Sequence, residues 1–144
     1  MKKFILCFFS LFFISLSTQA MTVVEGYKKL QSYSYKDLEV TKDQSEKVVG
    51  QKTSEMLNTI DQCVALVMKE KGNVPAEFME EMVRVAVLTF QNDPLESSGE
   101  LLVPLYKQYK PLLEKAIDHL PKKSAKDLRE RIEGAIYEEI HGNG

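Results

Sequence analysis

Few side chains in this sequence are of kinds that do chemistry, and their spacing decides what they could do. Glu138-x-x-His141 has the spacing that helical di-iron bundles use for metal ligands. Such centres take two of these pairs and two further carboxylates. Here the other histidine, His119, has Ala116 three residues before it instead of a glutamate. The pair therefore reads as a histidine in a last helical turn, where a cation suits the helix dipole. Cys63 falls between Ile60 and Val67 on an apolar stripe. A nucleophilic thiolate needs a cationic or helix-N-terminal setting, so Cys63 reads as a buried core residue.

Two surface features remain. Lys122, Lys123, Lys126, Arg129 and Arg131 form a basic cluster interleaved with Asp127, Glu130 and Glu133. That pattern suits a solvated helix face with pairs at helical spacing; contact with anionic headgroups or an acidic partner is the other reading. Tyr27-Lys28-Lys29 with Tyr33 and Tyr35, and Tyr106-Lys107-Gln108-Tyr109, either make an aromatic contact surface or line helix edges that meet solvent. No catalytic triad, phosphate loop, zinc pattern or dinucleotide fingerprint is present. The expectation is no catalytic residue, no metal, no cofactor and no enzyme.

The start of the chain predicts its compartment. Met1-Lys2-Lys3 is positive, Phe4 to Leu16 is apolar except for Ser10 and Ser15, and Thr18-Gln19-Ala20 ends in small residues at the cleavage positions. That is the layout of a secretory signal peptide over residues 1–20, cleaved after Ala20. Its apolar run is shorter than the roughly 20 residues a spanning helix needs. The expectation is a periplasmic or secreted protein with no stable membrane insertion after cleavage. Residues 21–144 then carry 17 basic and 21 acidic side chains, a poor footprint for nucleic acid. Only Cys63 is left as a thiol, so no internal disulfide is available.

Apolar spacing over residues 21–144 is helical almost throughout, which predicts one all-α domain, a bundle of about five helices. Thr22 is the expected N-cap of a first helix carrying Val23, Tyr27 and Leu30. Thr41, with Gln44 three residues on, predicts a capping box. The helix it opens would run to Gly72-Asn73, about 30 residues or roughly 45 Å, unless Gly50 breaks its first turns. Pro75 opens a third helix, apolar on nearly every side, that should lie centrally. Asp93 to Gly99 is a loop. A fourth segment places Leu101, Leu105, Tyr109, Leu112, Ala116 and Leu120 on one stripe, with a kink or break expected near Pro111. Ser124, with Asp127, should cap a last helix carrying Leu128, Ile132, Ala135, Ile136 and Ile140.

Val74-Pro75-Ala76-Glu77-Phe78-Met79-Glu80-Glu81-Met82-Val83-Arg84-Val85-Ala86-Val87, continuing through Phe90 and Asp93-Pro94, resembles the central segment of the Rap/Tai family of exported immunity proteins. The likeness extends through Ser97-Ser98-Gly99-Glu100-Leu101-Leu102-Val103 and ends near Pro111. It is a hydrophobic pattern with turn punctuation, not a catalytic signature. The family's members commonly carry cysteines able to form a disulfide, whereas this chain has Tyr and apolar residues there, and its last helix lies beyond the familiar region. The resemblance implies a periplasmic α-helical inhibitor of a peptidoglycan-cleaving amidase effector delivered by type VI secretion. Such an inhibitor would occlude the toxin's cleft with a protruding loop. The candidate partner-binding residues are Asp93, Leu95 and Glu96 in one loop and Gly72 and Asn73 in another turn. The alternative is a periplasmic binding or chaperone-like module that holds an apolar ligand or partner helix between its long helices.

Overall fold

A computed structural model describes residues 20–142. Residues 1–19 of the predicted signal peptide lie outside the described residues. Those described fold as six α-helices with no strand: α1 Val23–Ser32, α2 Glu46–Lys69, α3 Ala76–Thr89, α4 Ser97–Gln108, α5 Lys110–Asp118 and α6 Lys122–His141. Two short 3₁₀ turns, Tyr35–Leu38 and Phe90–Asn92, join them. The all-α class read from the apolar period is the class observed.

Helix α1 starts as its sequence dictates. Thr22 Oγ1 accepts from the Glu25 N–H, and the Glu25 carboxylate accepts from the Thr22 N–H at 2.8 Å, a complete capping box. At its other end the orphan carbonyls are taken by a distant side chain. Arg84 of α3 donates to Leu30 O at 2.9 Å and Tyr33 O at 3.1 Å while paired with Glu81. Tyr33 is therefore drawn inside, where its hydroxyl meets Thr59 and Glu55 of α2. It is no part of an aromatic contact surface, although Tyr35 is exposed.

The start of α2 differs from expectation. Its cap is Ser45, and Thr41 to Gln44 form a separate turn. The Gln44 side chain does not reach back to the Thr41 N–H, which bonds the Gln44 carbonyl instead at 3.0 Å; its amide donates to the carbonyl of Asp37 at 2.8 Å, closing the preceding 3₁₀ turn against the chain. Gly50 stays helical and breaks nothing. The C-terminus is a Schellman motif, in which Gly72 N–H bonds Val67 O at 2.9 Å and Lys71 N–H bonds Met68 O at 3.2 Å. Lys71 occupies the left-handed position, with φ of 53°, and Gly72 follows at 75°.

Helix α3 packs against α1, α2, α4 and α5 and is the centre of the bundle, as its all-round apolarity requires. Phe78, Met82, Val83, Val85 and Ala86 join Leu30, Met56, Ile60, Leu102, Ile117, Leu128 and Ile132 in one continuous core.

The fourth segment is two helices. Pro111 has no N–H to offer and its ring opposes the carbonyl one turn back, so the break falls at Tyr109, at φ −129° and ψ 36°. Tyr109 caps both pieces: its N–H bonds Leu105 O and its carbonyl accepts from Leu113. The break resets the helical phase. Leu113 is buried and Leu112 is exposed, the reverse of a single continuous stripe. Pro104, by contrast, sits within α4 without ending it. Helix α6 begins at Lys122 after Pro121, one turn ahead of the expected Ser124 cap, and its end overhangs the core, leaving Tyr137 and Ile140 exposed.

The α2–α3 turn gives a paired test. A Cβ on Gly72 would stand 2.7 Å from the Tyr109 ring, in a backbone region that L residues rarely adopt. Gly72→Ala should lower stability by about 1–3 kcal/mol in urea unfolding, whereas Lys71→Gly should raise it by about 1 kcal/mol. Equal effects of the same sign would refute this account of the turn.

Candidate functional site

The expected loop from Asp93 to Gly99 ends at Glu96, because α4 already starts at Ser97, and it is built around a carboxylate. Asp93 is 4% exposed; its two oxygens accept from the Ser97 N–H at 3.1 Å and the Ser98 N–H at 2.9 Å. These are among the unpartnered donors at the start of α4, and an anion also suits that end of the helix dipole. Behind it lies Arg131 of α6. Its guanidinium stacks 4.1 Å over the Phe90 ring, and Nη1 stands 3.8 Å from Asp93 Oδ2. Gly99 lets α4 meet α6 here, because a Cβ would strike the Arg131 backbone at 2.7 Å. Asp93 therefore belongs to the fold and is unavailable to a partner, which corrects its place among the candidate contact residues.

What the loop presents is Pro94, Leu95 and Glu96. Leu95 is 84% exposed, the most exposed of the large apolar side chains. Glu96 holds a left-handed backbone, φ 55°, and its N–H closes a turn onto Asp93 O at 3.2 Å. A leucine displayed on a loop fastened at both ends is pre-organised for docking. On either side lies an open groove. One, about 810 Å³, runs between α4 and α6. The other, about 500 Å³, lies between α2 and α4. Glu100 and Pro104 border both, so α4 and its leading loop form a ridge between them.

The turn at Gly72-Asn73 is not part of this surface. Gly72 packs under Tyr109, which caps the C-terminal end of α4, while the loop leads into the N-terminal end. The 12 residues of α4 put about 18 Å of helix between them. The structure brings Leu95 and Glu96 together and leaves Gly72 and Asn73 at the far end.

The other chemical candidates are absorbed by packing. His141 bonds the Tyr137 carbonyl and stacks on the Tyr137 ring at 4.1 Å. His119 pairs with Glu80 at 2.7 Å, joining α3 to the end of α5. Arg129 bridges Glu114 and Asp118 of α5 and Arg131 serves the loop, so the basic cluster divides, with its two arginines committed to structure. Among the described residues no three His, Cys, Asp or Glu side chains gather as metal ligands. No described helix is long and apolar enough to cross a membrane.

Cys63 is fully buried, beside Gly26 and Phe78, and burial pushes its thiol up to about 12. It has no nucleophilic character at neutral pH. Sequence reasoning missed the groove residues Glu100, Pro104, Gly134 and Glu138. Only Gly134, a glycine in mid-helix, carried a signal that could have marked them. No family model, curated protein or solved structure matches this chain.

Asp93→Ala should cost about 2 kcal/mol in urea unfolding, as a lost cap with a partly buried arginine left uncompensated. Leu95→Ala, one turn of chain away, should stay within about 0.5 kcal/mol. On the alkaline side, an unfolded cysteine loses its proton from about pH 9, whereas native Cys63 holds it to about 12. Its contribution is thus complete below about pH 9 and falls as pH rises toward 12. Burial likewise raises Tyr33 to about 12, adding to the decline above about pH 10. Cys63→Ala should flatten the stability curve between pH 9 and 12; an unchanged slope would refute the assignment.

Proposed function

We propose that this chain is an exported immunity-type protein that binds a peptidoglycan-cleaving amidase effector and inhibits it by occluding its cleft. The observation that carries this reading is Leu95, 84% exposed on a loop pinned by Asp93 and Arg131. Burying a leucine side chain in a partner is worth about 1.5–3 kcal/mol. Little of that is lost to ordering when the loop is already held. Glu96 and Glu100 flank it, and negative charge there favours approach to a basic cleft rim, through on-rate more than through affinity. The likeness of residues 74–111 to the Rap/Tai pattern supports the partner class, and the leader-like start supports the periplasm as the place of encounter.

The rival reading, a binding or chaperone-like module for an apolar ligand or helix, draws on the groove between α4 and α6. It expects stabilisation by lipid or apolar peptide, where an inhibitor expects stabilisation by one enzyme.

The purified protein should form a one-to-one complex with a cell-wall amidase recovered from periplasmic extract and suppress its hydrolysis of peptidoglycan. Leu95→Asp should weaken that complex about a hundredfold with an unchanged melting temperature. Retained affinity in this variant would reject the loop, and amidase activity unaffected by the wild-type protein would reject the function.

A further inference from the structure

We infer that the groove between α4 and α6 is a docking surface shaped for a cationic amphipathic segment of the protein partner. This rests on the reading of the chain as a binder and extends the Leu95 tip along the groove, since Pro94, Leu95 and Glu96 border one end of it.

The first observation is a glycine that the fold does not explain. Gly134 lies in the interior of α6, where glycine is less stable than alanine. It has no positive φ, and a Cβ built on it would meet nothing within 4 Å. Gly99 differs, since a Cβ there would strike α6. Gly50 shares the empty surroundings but sits in the exposed opening turns of α2 and borders neither groove. Gly134 borders the larger groove, opposite Val103 and Pro104. A glycine at an open helical position is what close approach by another backbone requires.

The second observation is charge. Glu96, Glu100 and Glu138 border the groove and belong to no ion pair among the described residues. The two cations beside them are taken: Lys107 bonds Glu139 at 2.6 Å, and Arg131 serves Asp93. The free charge at the rim is therefore negative, while Val103, Pro104 and Ala135 supply apolar contact. An occupant with lysine or arginine on one face and small apolar residues on the other matches both. Anionic lipid and nucleic acid match neither.

The test titrates the purified protein into a fluorescently labelled helical peptide of leucine, alanine and lysine, with a glutamate-for-lysine counterpart as control. Saturable one-to-one binding of the lysine peptide is expected, weakening about tenfold between low and moderate salt. Gly134→Leu projects a side chain into the groove from a Cβ that meets nothing within 4 Å and should weaken binding about tenfold or more, with Gly134→Ala as the control whose melting temperature should equal or exceed wild type. Glu100→Gln with Glu138→Gln should weaken it several-fold. Wild-type binding by the Gly134→Leu protein, no binding at all, or equal binding of the glutamate peptide would overturn the inference. So would self-association in sedimentation that Gly134→Leu abolishes, because the occupant would then be a second copy of this chain. Failure here leaves the Leu95 interface standing, since that is read with the amidase; failure with the amidase leaves this peptide measurement unaffected.

Discussion

Asp93 converts a loop into the start of a helix, and the surface proposed for binding depends on that conversion. Its carboxylate meets two backbone N–H groups of α4 that no intrahelical partner can satisfy. Burial without compensation would be costly for an anion. Here the helix dipole, two charge-assisted hydrogen bonds and the nearby Arg131 guanidinium offset it. Because Arg131 comes from α6 and also stacks on Phe90, one residue pair fixes the end of α3, the start of α4 and the middle of α6. The display of Leu95 follows from that clamp: the side chain points outward because the residue two positions earlier points inward.

The same logic recurs at other helix junctions, and Cys63, the cysteine among the described residues, is in no disulfide. Arg84 closes the end of α1 from α3, Arg129 joins α5 to α6, and Tyr109 terminates one helix, starts the next and covers Gly72. The two arginines use long side chains from one helix to serve the end of another or a charge close to it, whereas Tyr109 does so with its backbone. The core itself is made of aliphatic residues and methionine with Phe78, Tyr33 and Cys63. Its interior is close-packed and non-directional, so the polar ties supply the directional information that sets where each helix begins and stops.

The residues proposed for binding and those that stabilise the fold are different here. An exposed leucine and an open mid-helix glycine both contribute little to the folded state, and each is understandable as a feature kept for something that approaches from outside. Glu96, Glu100 and Glu138 at the groove rim likewise belong to no ion pair among the described residues, although Glu139 beside them is paired with Lys107. Asp93, conversely, looks like a binding residue in the sequence and proves to be part of the frame.

The amino-acid sequence by itself determined the helical class, Thr22 as the N-cap of α1, the central place of α3 and a stop to α2 just before Gly72-Asn73. Each of these is set within a few residues, by period, by a cap or by a permitted φ. Only the tertiary structure decided that Leu113 replaces Leu112 inside, that α6 starts before Ser124, and that Asp93 is buried beside Arg131. Those outcomes turn on how helices distant in sequence pack, and on the phase shift at Tyr109 that the Pro111 break introduces. The grooves beside α4 belong to the same class. They exist between helices distant in sequence, and no local pattern encodes the space two helices leave open.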